Sequence, residues 1–108
     1  MDFEELQRRA WQVRQLYADL EKAKYGRSWT AEEVALGFVG DVGDLMKLVT
    51  AKGGVRATAD VDQKLAHELA DCLWAVLVLS KLYSVDLEAA FAATMDELEH
   101  RIHAQLNK

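Results

Sequence analysis

The sequence predicts an all-α fold, a four-helix bundle assembled as a dimer or a dimer of dimers. Three observations carry this. Proline is absent, apolar residues recur at spacings of three and four without strand-like alternation, and the glycines cluster at Gly26, at Gly53 and Gly54, and at Gly37, Gly40 and Gly43. Such clusters punctuate a helical chain.

From Asp2 to about Tyr25, the residues Phe3, Leu6, Ala10, Val13, Tyr17 and Leu20 form one face of an amphipathic helix, which should pack inward. Trp11 is turned more than 90° from that face, which places it at a subunit interface or a pocket rim. A second helix begins near Thr30, whose hydroxyl can cap while Glu33 reaches back from three residues on, and it ends near Lys52. The third starts between Thr58 and Asp62 and runs to about Tyr83, with Leu65, Leu69, Cys72, Val76 and Leu79 in one row. From Leu73 to Leu79 it is apolar on almost every side. A helix of that kind must be covered all round, which in so small a bundle predicts a homodimer, with Trp74 in the core or the dimer contact. The last helix, capped by Ser84 or Asp86, presents Leu87, Phe91, Met95, Leu98 and Ile102 along one side and should close the bundle.

At 108 residues, 51% of them hydrophobic and 29% charged, residues 1–108 make one domain with its own core. Thirteen Lys and Arg against 18 Asp and Glu leave a net charge of -5, so phosphate attraction should not drive nucleic-acid binding. An anionic substrate would need a cation between it and such a protein. The single cysteine, Cys72, cannot form an internal disulfide, which fits a reducing cytoplasm, and it reads as a core residue without a base partner for thiol catalysis. Asp2, Glu4 and Glu5 do not resemble the start of a signal peptide. The apolar stretch from Cys72 to Leu79 is far below the ~20 residues of a membrane span. No glycine-rich phosphate loop ending in Gly-Lys is present.

The chemistry concentrates in four acids. On the second helix, Val34, Phe38, Leu45 and Leu48 define the buried stripe, and at 100° per residue Asp41 falls inside it, with Asp44 one turn on toward its edge. An ionised carboxylate there needs a cation, a hydrogen-bond network or a raised pKa, because burial without a partner costs several kcal/mol. The third helix repeats the spacing with Glu68 and Asp71. Two facing helices that each offer an acidic pair can hold a common ion, and oxygen-only ligands suit Mg²⁺, or Mn²⁺, better than Zn²⁺. Acidic pairs at helical spacing are more often solvated surface, as Asp96 with Glu99 should be; the burial of Asp41 and the repetition on the adjoining helix set these apart. Gly37, Gly40 and Gly43 each cost ~1 kcal/mol in a helix interior. Close helix packing is the reading for Gly37, and room for metal and phosphate the reading for Gly40 and Gly43. His67, His100 and His103 read as surface residues.

The run Val39-Gly40-Asp41-Val42-Gly43-Asp44-Leu45, followed by Glu68-Leu69-Ala70-Asp71 and then Val85-Asp86-Leu87, resembles the MazG-like all-α nucleoside triphosphate pyrophosphohydrolases, and most closely their dCTP-pyrophosphatase branch. The resemblance covers Tyr25 to Arg101. It implies Mg²⁺-dependent hydrolysis of a nucleoside triphosphate to the monophosphate and pyrophosphate by a dimer or tetramer. Asp41, Asp44, Glu68 and Asp71 would hold the metal, with Asp41 or Glu68 orienting the attacking water. Tyr25 and Trp29 stand where relatives hold the base, Arg101 stands near the family's basic residue, and Lys47, like Lys52 and Lys81, is a candidate for phosphate contact.

The sequence departs from the family in two places. Both acids of the first motif are aspartates where the family has glutamates, which retracts each carboxylate by roughly 1.5 Å. Thr94 and Leu98 stand where relatives often carry a lysine and an asparagine. The alternative these departures favour is a catalytically weakened homologue that binds a nucleotide or a protein partner.

Overall fold

The computed structural model describes residues 1–54 and 60–108. Among these there are four helices and no strand: α1 (Phe3–Tyr25), α2 (Ala31–Lys52), α3 (Val61–Leu82) and α4 (Leu87–Leu106). Three of the four open on a side-chain acceptor that satisfies an otherwise unpaired N–H of the first turn. The Asp2 carboxylate accepts from the Glu5 N–H at 2.9 Å. Before α2 the capping box forms in both directions: Thr30 Oγ1 accepts from Glu33 N–H at 3.2 Å and Glu33 Oε1 accepts from Thr30 N–H at 3.1 Å. The Arg27 guanidinium clasps the same glutamate at 2.7 and 3.0 Å and, as the main cause, holds its carboxyl down at about 2. Of the two caps expected for α4 the structure uses Asp86, which accepts from Ala89 N–H at 3.1 Å, while Ser84 takes a left-handed turn at φ 56°. The start of α3 at Val61 falls within the expected window, of which Thr58 and residue 59 lie outside the described residues.

Gly26 ends α1. Its φ of 77° lies in the left-handed region, where a Cβ would be strained, and its N–H donates to Lys22 O at 2.9 Å. The chain then crosses to α2 in five residues, so α1 and α2 both reach α3. Ala10, Val34, Leu77 and Val78 form the buried centre, and Phe3, Leu6, Trp11, Trp74, Leu79 and Leu87 pack against it. Trp11 therefore belongs to the core of the single chain, contrary to the expectation from its phase. The indole reaches round α1 toward the end of α3, where the Lys81 ammonium lies 5.7 Å from its ring centroid.

The four helices form an all-α bundle, but α4 does not close it within one chain as its apolar stripe suggested. No residue of α4 is buried. Leu87 docks on the core, whereas Phe91, Leu98, Ile102 and Leu106 are exposed. The radius of gyration is 17.4 Å, against about 13 Å for a compact domain of this length. Among the described residues of α4, Leu87 is the one packed against the buried centre. Among the described residues no helix is long and apolar enough to cross a membrane.

Candidate metal centre

The longest helix contact is that of α2 with α3, and it aligns the two acidic pairs. Asp41, Glu68 and Asp71 are half-buried and Asp44 is exposed. Ligand atoms of Asp41, Asp44 and Glu68 all lie within 4.8 Å of one another, and those of His67, Glu68 and Asp71 do the same. The four predicted acids are thus arranged as two overlapping triads that share Glu68. His67, set aside as surface, is exposed but completes the second triad, with Nε2 3.1 Å from Asp71 Oδ2. The spacing of one helical turn between the two was the available signal.

Glu68 Oε2 is buried without a hydrogen-bond partner among the described residues. Buried polar atoms are nearly always partnered, so an orphaned carboxylate oxygen between two other acids fits a site that receives a cation. The electrostatics agree. Burial pushes the Asp41 carboxyl above its ordinary value, the charges of Asp71 and Asp44 push it further, and His67 opposes them. Burial likewise raises Glu68, with added repulsion from Asp71, Asp44 and Asp41. Asp41 and Glu68 thus both resist ionisation beside the neighbouring acids, and a divalent ion would relieve that repulsion. Burial first, and then Asp41, also pushes the Cys72 thiol up, which leaves it a poor nucleophile.

Asp41 and Asp71 also line a cavity of about 630 Å³ between α1, α2 and α3, a volume ordinary for a small-molecule site. Tyr17, Trp29, Phe38 and Trp74 supply its aromatic walls, with Tyr25 at its edge. Trp74 is fixed there by its Nε1–H, which donates to Ala10 O at 3.1 Å, and by the edge of Tyr17 with ring centroids 5.7 Å apart. Gly37 faces this space and not a neighbouring helix: a Cβ there would meet Trp29 Cζ3 at 4.0 Å. The close helix packing expected of Gly37 is therefore replaced by room for an indole. At Gly40 and Gly43 a Cβ would meet nothing within 4 Å.

Lys47 and Arg101 are not among the residues that line the cavity. Lys47 is exposed on α2 and Arg101 pairs with Glu97 along α4. Lys52 pairs with Asp62. Three charged lining residues are absent from the sequence-based expectations, Arg14, Glu21 and Lys24. For the first two the signal was legible, because they stand in the same row of α1 as Ala10 and Tyr17, one positive and one negative among apolar neighbours.

The family model for the MazG nucleotide pyrophosphohydrolase domain matches residues 28–105. The chain belongs to this family. The MazG match takes in α2, α3, nearly all of α4 and both acidic pairs, and it leaves out α1 with Arg14 and Glu21. MazG domains are typically metal-dependent, and the membership points to nucleotide pyrophosphohydrolysis as the general activity and to a nucleotide as the class of substrate. Comparison with curated proteins and with solved structures gives no significant match.

Proposed function

We propose that this MazG domain is a Mg²⁺-dependent pyrophosphohydrolase that converts a (deoxy)nucleoside triphosphate to its monophosphate and pyrophosphate, acting in the cytoplasm on non-standard or surplus nucleotides. The observation that carries the reading is the junction of the acidic cluster with the aromatic cavity, since Asp41 and Asp71 belong to both. A nucleotide has the matching halves: an anionic chain that needs a cation among acids, and a flat base that stacks on aromatic rings.

Asp41, Asp44, Glu68 and Asp71 would hold Mg²⁺, with Mn²⁺ acceptable to the same oxygen donors; when bound it would neutralise phosphate oxygens and lower the pKa of the attacking water. Glu68 keeps a buried acceptor oxygen with no partner among the described residues, which can orient that water, and Asp41 flanks it. Whichever of the two carboxylates is not itself a ligand would take the proton as water oxygen bonds to phosphorus. The bond between monophosphate and pyrophosphate then breaks and its electron pair leaves with pyrophosphate. Trp29 and Tyr25 border the base half, where stacking contributes ~1–3 kcal/mol. Lys24 also lines the cavity of one chain, and Lys47 and Arg101 would reach substrate in the assembled oligomer.

The exposed faces support that assembly. Phe91, Leu98 and Ile102 on α4, and Val39 and Met46 on α2, form apolar rows that this chain leaves uncovered, and a second copy related by a twofold axis would supply each row with the other.

Incubation with Mg²⁺ or Mn²⁺ and a panel of dATP, dCTP, dGTP, dTTP, dUTP, ATP and 5-methyl-dCTP should give pyrophosphate from at least one member. Binding without release from any would replace this reading with that of a weakened, nucleotide-binding relative. The exposed position of Asp44 and the presence of Thr94 and Leu98 favour that second reading.

A further inference from the structure

Arg14 and Glu21 are 5% and 7% exposed, and charged residues are seldom this buried. They stand two turns apart on α1, with Arg14 Nη1 donating to Glu21 Oε2 at 2.8 Å and Nη2 to Oε1 at 3.1 Å. The pair has two further bonds, both to one residue. Trp29 N–H donates to Glu21 Oε1 at 2.7 Å, and Arg14 Nη2 donates to Trp29 O at 3.2 Å. The guanidinium also holds the Glu21 carboxyl below its ordinary value, so it stays ionised and a full-strength acceptor.

A buried ion pair is seldom more stabilising than an apolar pair of the same size, so stability alone does not explain this one. What a charged pair adds is direction. It grips both the donor and the acceptor of Trp29, the residue between the left-handed turn at Gly26 and the cap at Thr30. With its backbone held, the indole lies over Gly37 and forms one wall of the cavity. We propose that Arg14 and Glu21 are positioning residues that set Trp29 as the base-facing wall of the nucleotide site, and so govern nucleotide affinity without taking part in phosphorus chemistry. This rests on the proposed nucleotide site.

The test uses the full chain and the best substrate of the panel, with inorganic pyrophosphate as the base-free control. Single changes such as Glu21→Gln leave a buried charge unpaired and can fail to fold, so the decisive variant is the double Arg14→Met/Glu21→Met, which removes both charges and keeps apolar volume. It should fold, raise KM tenfold or more with kcat within twofold, and leave inhibition by pyrophosphate unchanged. Hydrogen exchange at the Trp29 amide should accelerate. Trp29→Ala should raise KM likewise, and its combination with the double variant should add little, since both act through one ring. A double variant with the wild-type KM and unchanged Trp29 exchange, or with an effect that adds fully to that of Trp29→Ala, would overturn the proposal. If the wild type hydrolyses nothing but binds a nucleotide, the same comparison made on dissociation constants decides the positioning role apart from the activity.

Discussion

Lengthening Asp44 by one methylene should tighten the metal centre. Two oxygens on one Mg²⁺ at 2.0–2.1 Å stand at most about 4.2 Å apart. The ligand atoms of Asp41, Asp44 and Glu68 lie within 4.8 Å of one another, so the widest pair that spread allows is about 0.6 Å beyond that limit. Asp41 is half-buried against the core and has little freedom, whereas Asp44 is exposed. Asp44→Glu adds roughly 1.5 Å of reach, more than any shortfall that this bound permits, at the exposed ligand with room to use it. The expected outcome is a Kd for Mg²⁺ lowered about tenfold, worth ~1.4 kcal/mol, and raised by a similar factor in Asp44→Asn. Calorimetric titration with Mg²⁺ alone reads this directly. Melting in millimolar Mg²⁺ relative to EDTA should rise by a further 5–8 °C or so in Asp44→Glu, the EDTA baseline removing the better helix propensity of glutamate. If Asp44→Glu weakens binding while Asp44→Asn leaves it untouched, Asp44 is not a ligand and the reasoning from reach is refuted.

Asp41→Asn and Glu68→Gln should each abolish pyrophosphate release while leaving the metal-free protein at least as stable as wild type. Because burial raises both folded pKa values, the native state binds the proton more tightly and the metal-free wild type loses stability as pH rises from the ordinary carboxylate range through those values. Denaturation in EDTA should therefore show the stability gained in Glu68→Gln at pH 7 vanishing near pH 4, and a gain independent of pH would contradict the assignment. Glu33, held at about 2 mainly by Arg27, has the opposite sign: its contribution is present above its ordinary value of 4.5 and is lost as pH falls through about 2. Glu33→Gln should accordingly flatten the acid limb of the stability profile between those values. Phe91 and Ile102 are 62% and 57% exposed in one chain, and covering an apolar side chain of this size fully contributes about 1.5–3 kcal/mol. Phe91→Glu/Ile102→Glu should hence yield monomers in sedimentation, and a wild type already monomeric at working concentration would remove the oligomer. At Gly37, alanine fits beside Trp29 at 4.0 Å and should stabilise by up to ~1 kcal/mol, whereas Gly37→Leu should displace the indole and raise KM.

Much of the local structure was legible because it depends on residues close in the chain. Thr30 and Glu33 meet in a capping box whatever lies beyond them, and the three-residue spacing of Asp41 with Asp44 and of Glu68 with Asp71 assigns each pair to one side of a helix. Apolar periodicity and caps located α1 and α2 to within a residue or two and the C-terminal end of α3 to within one, while the start of α3 fell inside a window of five residues. The MazG motif could be read for the same reason, since it consists of short runs on adjoining helices.

Contacts between elements were another matter. Periodicity gives the angle of a residue about its own helix but not which neighbour stands at that angle. Trp11 was assigned outward until the end of α3 proved to lie there, Gly37 was assigned to helix packing until the Trp29 indole proved to occupy the space, and α4 was expected to close a core that it meets only at Leu87. The Arg14–Glu21 grip on Trp29 could not be read at all, because its three members meet only when the turn at Gly26 folds residue 29 back along α1. What the sequence by itself determined here was the helices, their caps and the charge that each carries toward a centre. Only the tertiary structure decided that Glu68 is common to both acidic triads and that those acids border an aromatic cavity, because both depend on how α1, α2 and α3 pack, and that packing is set by burial summed over the whole core.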